Sequence, residues 1–259
     1  IGGKGQDLAN ALESLGNQAV ETVRAGTRIL ILSDRPEGNE TAPIPMLMAV
    51  SAIHHRLIRE GLRCRIGLIA ETGEARDVHH MALLLGYGAS AINPWFAYEM
   101  LAAMAADELF DRPLSPVEAV AHYVEALCKG LLKIMSKMGI STLRSYRSAQ
   151  LFEAVGIEKT VVDRYFPGTA TRIEGVGLDE IAREIDLRVR AAQRLSDPDT
   201  PLPSGGRYQL RRDGERHLWT PETITLLQRA TRENRPDLYE AFARLINDQT
   251  RNPSTLRGL

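Results

Sequence analysis

Over its first hundred or so residues the chain repeats one pattern: a run of helical period, a glycine, then a short β-branched or leucine-rich run. A helix is predicted from about Asp7 to Arg24, and it passes through Gly26 into RILIL, which ends at Ser33-Asp34-Arg35. After a polar Pro/Gly loop, Ile44 to Glu60 forms the next helix, closed by Gly61, and feeds the strand CRIGLIA. Glu71 to Glu74 then opens the helix ARDVHHMALLLG, which ends at Gly86 to Gly88 and leads into the strand SAIN before Pro94. Strands separated by helices and joined by short connections cannot form hairpins. They pair parallel, through right-handed crossovers, so the fold class is α/β with helices flanking a parallel sheet.

The second half carries different signals. Ser115-Pro116-Val117-Glu118 is a helix start, with serine as cap, proline at the first position and glutamate three residues on. That helix runs to Gly139, and Gly130 could bend it. Ile140 to Leu143 is predicted as a strand, Tyr146 to Val155 as a helix, and further helices fit Glu158 to Tyr165 and Leu178 to Leu195. Composition changes at Ser196 to Gly206, SDPDTPLPSGG, a linker by its prolines and glycines. Beyond it, Asp213-Gly214 within GRYQLRRDGERHLW suggests a hairpin or an extended arm, and Thr220-Pro221-Glu222 restarts helix. The expected organisation is an α/β domain over 1–195, a linker at 196–206, and the opening of another unit over 207–259.

Composition excludes several classes. A chain of 259 residues with 44% hydrophobic and 25% charged content can bury a large core. A net charge of -1 leaves no basic excess for a nucleic-acid backbone. The start IGGKGQDLANAL has no apolar leader, and no window approaches the ~18 apolar residues of a membrane span. A cytoplasmic protein is expected, and one that begins at Ile1 reads as a piece of something longer. Cys64 and Cys128 lie in apolar runs without metal or redox spacing, and are expected to be buried free thiols of a reducing compartment.

In a parallel α/β sheet, chemistry gathers at the carboxyl ends of the strands. Those ends carry Ser33-Asp34-Arg35, Glu71-Thr72-Gly73-Glu74, Asn93 and Ser141-Thr142, a polar rim whose simpler role is to cap the next helices. The doublets His54-His55 and His79-His80 invite a metal. Helical geometry puts His54 on the flank of its helix, His55 opposite, His79 near the core and His80 outward, with no carboxylate or thiol to complete a site. The glycine-rich stretch GTATRIEGVG, Gly168 to Gly177, could cradle an anion, but it has no Gly-Lys-Ser/Thr ending, and a loop docking on a neighbouring domain fits equally. Lys129, Lys133 and Lys137 share one stripe of a helix, the pattern of a solvated face or, less simply, of a partner contact. No nucleophile, paired carboxylates or ligand set stands out, so no catalytic, cofactor-binding or metal residue is assigned.

The runs ILILSDR, PIPMLMAVSAIHHRLIREGLR, ETGEARDVHHMALLLGYGASAINPW, KGLLKIMSKMGISTLRSYRSAQLFEAVGI, FPGTATRIEGVGLDEIA and SGGRYQLRRDGERHLWTPETITLLQRA closely resemble the large subunit of glutamate synthase. The resemblance covers nearly the whole chain in order. It implies the central α/β domain, related to a TIM barrel as a partial or half-barrel, over 1–195, and the N-terminal segment of the FMN-binding barrel over 207–259. It further implies, as partners, the glutaminase, FMN and β-helix domains of the same subunit, with a small FAD/NADPH subunit or ferredoxin as electron partner. The parent reaction turns glutamine, 2-oxoglutarate and reductant into two glutamates, using FMN and an iron–sulfur cluster. The family's glutaminase nucleophile is an N-terminal cysteine, where this chain has Ile1, and its cluster cysteines and main FMN loops match nothing here. The segment is thus expected to link the glutaminase and FMN domains without catalysing a step. An independent TIM-barrel-like enzyme that binds a phosphorylated small molecule, and an interaction module acting through the lysine stripe, are the alternatives.

Overall fold

A computed structural model describes residues 4–35, 42–194, 205–206, 208–212, 214–250 and 253–255. The chain divides into two compact units, residues 1–194 and 195–259. The first is a mixed α/β unit with parallel strands and flanking helices. It opens with helix α1 (Gly5–Arg24), strand β1 (Ile29–Ser33), α2 (Met46–Arg59), β2 (Gly67–Glu71), α3 (Val78–Gly86) and β3 (Ala91–Asn93). The three strands pair in sequence order, all parallel, with Ile29 opposite Gly67 and Ile69 opposite Ala91.

One face of this sheet is sealed. Leu32, Leu68 and Ala70 point into a core built with Val20 and Val23 of α1, Val50, Ile53 and Leu57 of α2, and Met81 and Leu84 of α3. Val50, Ile53, Leu57 and Leu68 are fully buried, each stabilising the fold by about 1.5–3 kcal/mol. The other face is open: Ile29 and Ile31 are 57% and 60% exposed.

The helix–strand joints share one chemistry. At the end of α2, Gly61 takes a left-handed conformation (φ 66°), its amide donates to the Ile58 carbonyl (3.0 Å), and the Leu62 amide donates to the Leu57 carbonyl (2.8 Å). This paired closure stops the helix and sends the chain back toward the sheet. Helix starts are capped partly from afar. Pro45 offers α2 no side-chain cap, and the Glu74 carboxylate accepts the Met46 amide instead (2.8 Å). Asp179 likewise accepts the Gly5 amide of α1 (2.7 Å), where a carboxylate also complements the helix dipole.

After β3 come α4 (Trp95–Ala106), α5 (Pro116–Lys137), a single helical turn α6 (Leu143–Tyr146), β4 (Glu153–Ile157), α7 (Lys159–Tyr165), β5 (Ala170–Val176) and α8 (Leu178–Gln193). Strands β4 and β5 form a second parallel pair with irregular register at Val155 and Ile157. The capping box at Ser115 and Glu118 forms as the spacing predicts. Helix α5 is continuous, and Gly130 lets it approach α3: a Cβ there would lie 2.5 Å from Val78 Cγ2.

Three local expectations are corrected. Ile140 to Leu143 is not a strand. Gly139 ends α5 with the same paired closure, Ile140 packs beside Met135 and Tyr146, and Thr142 caps the turn α6 by accepting the Ser145 amide. Tyr146 to Val155 is not a helix, because Ser148 and Gln150 are left-handed (φ 60° and 54°) and β4 begins at Glu153. CRIGLIA is a strand only from Gly67, since Arg63–Arg65 is a 3₁₀ turn.

The second unit holds α9 (Pro221–Arg232) and α10 (Pro236–Asn247), packed together with the rings of Trp219 and Tyr239 about 6 Å from that of Phe242. Thr220 caps α9 and Pro221 starts it. The stretches 208–212 and 214–219 form turns and bends rather than paired strands, and Asp213 of the expected hairpin lies outside the described residues. So does most of the expected linker, residues 196–204.

Candidate functional site

The strand ends that the sequence singles out do come together, as a closed network. Asp34, just past β1, accepts from the Thr72 hydroxyl (2.5 Å), from the Gly73 amide (2.9 and 3.1 Å) and from the Trp95 indole (2.8 Å). Thr72 is fully buried, and its oxygen also accepts the Glu74 amide (3.0 Å). Beside it, Glu71 accepts from the Ser33 hydroxyl (2.7 Å) and the Asn93 amide group (3.1 Å), and pairs with Arg35 (3.3 Å). The Ser33 hydrogen bond, aided by Arg35 against a burial cost, holds the Glu71 carboxyl below its ordinary range, so it stays ionised. Arg35 lies over the Trp95 ring at 4.7 Å and reaches Glu99 (3.3 Å).

Each carboxylate here faces donors from neighbouring strand ends. Such an arrangement locks three loops into register; it presents neither a general base poised toward open space nor a converging set of metal ligands. Trp95 and Glu99 were not foreseen, since a tryptophan after a proline gives no sign of where its indole N–H will reach. Ser141 and Thr142 do not belong to this network: with no strand beneath them, Thr142 serves as the cap of α6.

A second buried polar cluster centres on His54. The Arg63 guanidinium donates from Nε to His54 Nδ1 (2.8 Å), and from its other nitrogens to the carbonyls of Ile66 (3.0 Å) and Gly88 (2.7 Å). A guanidinium can only donate, so His54 carries its own proton on Nε2, which donates to the Ser148 hydroxyl (2.7 Å). Burial, the neighbouring Arg63, and lesser contributions from His55 and Arg147 push the His54 pKa down to about 3. A neutral imidazole thus fastens α2, the turn before β2 and the left-handed turn at Ser148. The sequence put His54 on a helix flank, whereas it is 6% exposed. The missing signal was Arg63, nine residues on.

His79 is exposed rather than near the core, because α3 starts only at Val78 and leaves His79 in its first turn. His80 accepts the Arg76 amide (3.1 Å). Among the described residues no group of three or more His, Cys, Asp or Glu is placed to hold a metal ion. Cys64 and Cys128 are exposed, not buried: Cys64 stands on the 3₁₀ turn and Cys128 on the outer flank of α5. Gly168 to Gly177 is largely strand β5 rather than an anion-binding loop. Lys129, Lys133 and Lys137 are all exposed, and Lys129 pairs with Glu125 one turn back (2.6 Å). No helix among the described residues is long and apolar enough to cross a membrane.

Comparison with known proteins gives the arrangement a family. Residues 3–158 match the glutamate synthase central domain. The chain is 44% identical to the glutamate synthase [NADPH] large chain of Bacillus subtilis, over 94% of this chain and 16% of that protein. It is 40% identical to the ferredoxin-dependent glutamate synthase of Cyanidium caldarium, over 98% of this chain and 17% of the relative. With the glutamate synthase [NADH] of Schizosaccharomyces pombe it shares 38% identity, over 97% of this chain and 12% of the other. The chain therefore spans about a sixth or less of the length of these curated relatives, and it belongs to the glutamate synthase central-domain family.

Proposed function

We propose that this chain is the central scaffold of a glutamate synthase large subunit, in which it links the glutaminase and FMN domains and buttresses the path of ammonia between them. In this reading residues 1–195 are the central domain, a partial barrel of TIM-related type, followed by a linker at 196–206 and the N-terminal segment of the FMN-binding barrel at 207–259. The parent protein would convert glutamine, 2-oxoglutarate and reductant into two glutamates, with a small FAD/NADPH subunit or ferredoxin as electron partner. Parallel pairing in sequence order, β1 to β2 to β3 and β4 to β5 with helices between, supports the barrel relationship.

The observation that carries the scaffold reading is the strand-end network. Where a barrel enzyme keeps its reactive groups, Asp34 and Glu71 are engaged in holding loops together. Fixed separation matters to a reaction that passes a free intermediate between centres, because misplacement loses it to solvent.

The residues here do not fit the iron–sulfur cluster of the parent. Such a cluster takes a set of cysteine thiolates, and this chain has two cysteines, exposed on different elements. The purified chain should show no flavin absorbance and no glutaminase activity. Stoichiometric FMN in the preparation would overturn the assignment of flavin binding to other domains.

A further inference from the structure

Helix α5 carries more apolar surface than the first unit covers. Val117, Ala121, Val124, Cys128, Leu131 and Met135 follow one another at intervals of four and three residues, so they form one seam of the heptad kind along which two helices interlock. The unit fills the C-terminal end of that seam: Met135 is 5% exposed and packs with Leu131, Ile140 and Tyr146. The N-terminal end is open. Val117 is 79% exposed, and Ala121, Val124 and Cys128 are exposed after it. The seam's two margins differ as well. Leu127 and Ile134 on one side pack into the unit's own core, whereas Glu118, Glu125 and Leu132 on the other are exposed. Lys129, Lys133 and Lys137 take the outward heptad positions, so the lysine stripe is the solvated face rather than the contact. At its C-terminal end the seam meets a groove of about 320 Å³ between Leu132, Met135 and Ile140. A contiguous exposed apolar stripe, unlike single exposed side chains, marks a contact surface.

We propose that the open seam of α5 docks an amphipathic helix from the part of the parent polypeptide outside this chain, with an apolar stripe on Val117, Ala121, Val124 and Cys128 and a neutral or basic flank toward Glu118 and Glu125. The spacing specifies a helix, because a strand's two-residue period would meet such a seam only at scattered points. A second copy of α5 fits poorly in either direction. Antiparallel pairing would set the Glu118–Glu125 margin against itself, and parallel pairing would need the opposite margin, which Leu127 and Ile134 already commit to the core. Length points to the source: the chain spans between 12% and 17% of its relatives, so most of the polypeptide that could supply the helix lies outside it. The inference rests on the proposed place of this chain in a large subunit.

The test compares this chain with the complete subunit by alkylating Cys128 with iodoacetamide, read at that residue by mass spectrometry and normalised to the rate of the same protein in urea. Cys128 lies in the seam, so it should react freely in the isolated chain and at least about tenfold more slowly in the complete subunit. Ala121→Arg should return the rate in the complete subunit toward that of the isolated chain, whereas Lys133→Glu, on the outward face, should leave it slow. The isolated chain should sediment as a monomer, and there Ala121→Arg should leave the melting temperature unchanged, since the position is exposed. Equal Cys128 reactivity in the two unmutated proteins would overturn the proposal without requiring any variant to fold. Protection that survives Ala121→Arg would overturn it too, as would a dimer of the isolated chain that shields Cys128, which would make a second copy the occupant. A reading frame with no domain beyond this chain would instead overturn the large-subunit reading itself.

Discussion

His54 should make this fold acid-sensitive in a way that can be assigned to one residue. Its ordinary pKa of 6.5 falls to about 3 in the folded state, chiefly through burial and then through Arg63. The folded state therefore binds fewer protons than the unfolded chain between these values, and stability is full above pH 6.5 and declines as pH falls toward 3. The limiting slope for one proton is about 1.4 kcal/mol per pH unit, so between about pH 6 and about pH 4.5 this residue should remove about 2 kcal/mol. The structural reason is direct. A proton on Nδ1 would replace the acceptor of Arg63 Nε–H with a second cation, and Arg147 and His55 stand close enough to add to the repulsion. His55, itself lowered by burial and Arg59, and the carboxylates contribute slopes of their own. The informative quantity is therefore a difference: urea denaturation of the parent and of His54→Gln across that pH range. Glutamine can still accept from Arg63 but does not titrate. The variant should lose less stability on acidification, by about 2 kcal/mol. Parallel pH profiles, whatever the variant's stability at neutral pH, would refute the buried neutral imidazole.

Other perturbations test the same geometry. Asp34→Ala orphans the buried Thr72 hydroxyl, the Gly73 amide and the Trp95 indole together, and should cost about 3 kcal/mol in urea denaturation. Gly88→Ala would put a Cβ 2.4 Å from His54 Nδ1 at a left-handed residue (φ 119°), and should cost about 3 kcal/mol or abolish soluble expression. Thr142→Ala removes the exposed cap of the turn α6 and should lower stability by about 1 kcal/mol in the same denaturation assay. Lys133→Glu, on the exposed face of α5, should stay within about 0.5 kcal/mol of the parent.

The first three helix–strand units were legible because every local signal agrees: helical period, a glycine that only a left-handed turn requires, then a β-branched run. After α5 the signals part. Gly139 closes its helix as Gly61 does, yet the chain then enters a capped turn, because Thr142 accepts the Ser145 amide and Ile140 finds a core place beside Tyr146. Ser148 and Gln150 defeat the reading of a helix up to Val155 because each adopts a backbone conformation that its residue type seldom takes. Ser148 is held there by contacts distant in sequence, its amide to the Gly86 carbonyl and its hydroxyl to His54. The polar rim was visible as residue types at strand ends, but its meaning depended on Trp95 and on which donors Asp34 meets, and no spacing rule supplies that.

RILIL is apolar at every position but the first, the composition of a strand buried on both faces, as parallel strands ordinarily are. Within the first unit only one face is covered: Leu32 is buried, whereas Ile29 and Ile31 remain exposed, as do Val155 of β4 and Ile173 of β5. Helix caps, glycine closures and the Asp34 clamp all close within this unit, so incomplete folding of it does not explain the open face. The proposed partial barrel does, because the inward side of a barrel strand is filled by residues from the strands opposite it, and the five strands among the described residues are too few to fill it alone. On that reading the apolar inner residues are there for neighbours within a much longer polypeptide, which is the length the relatives have.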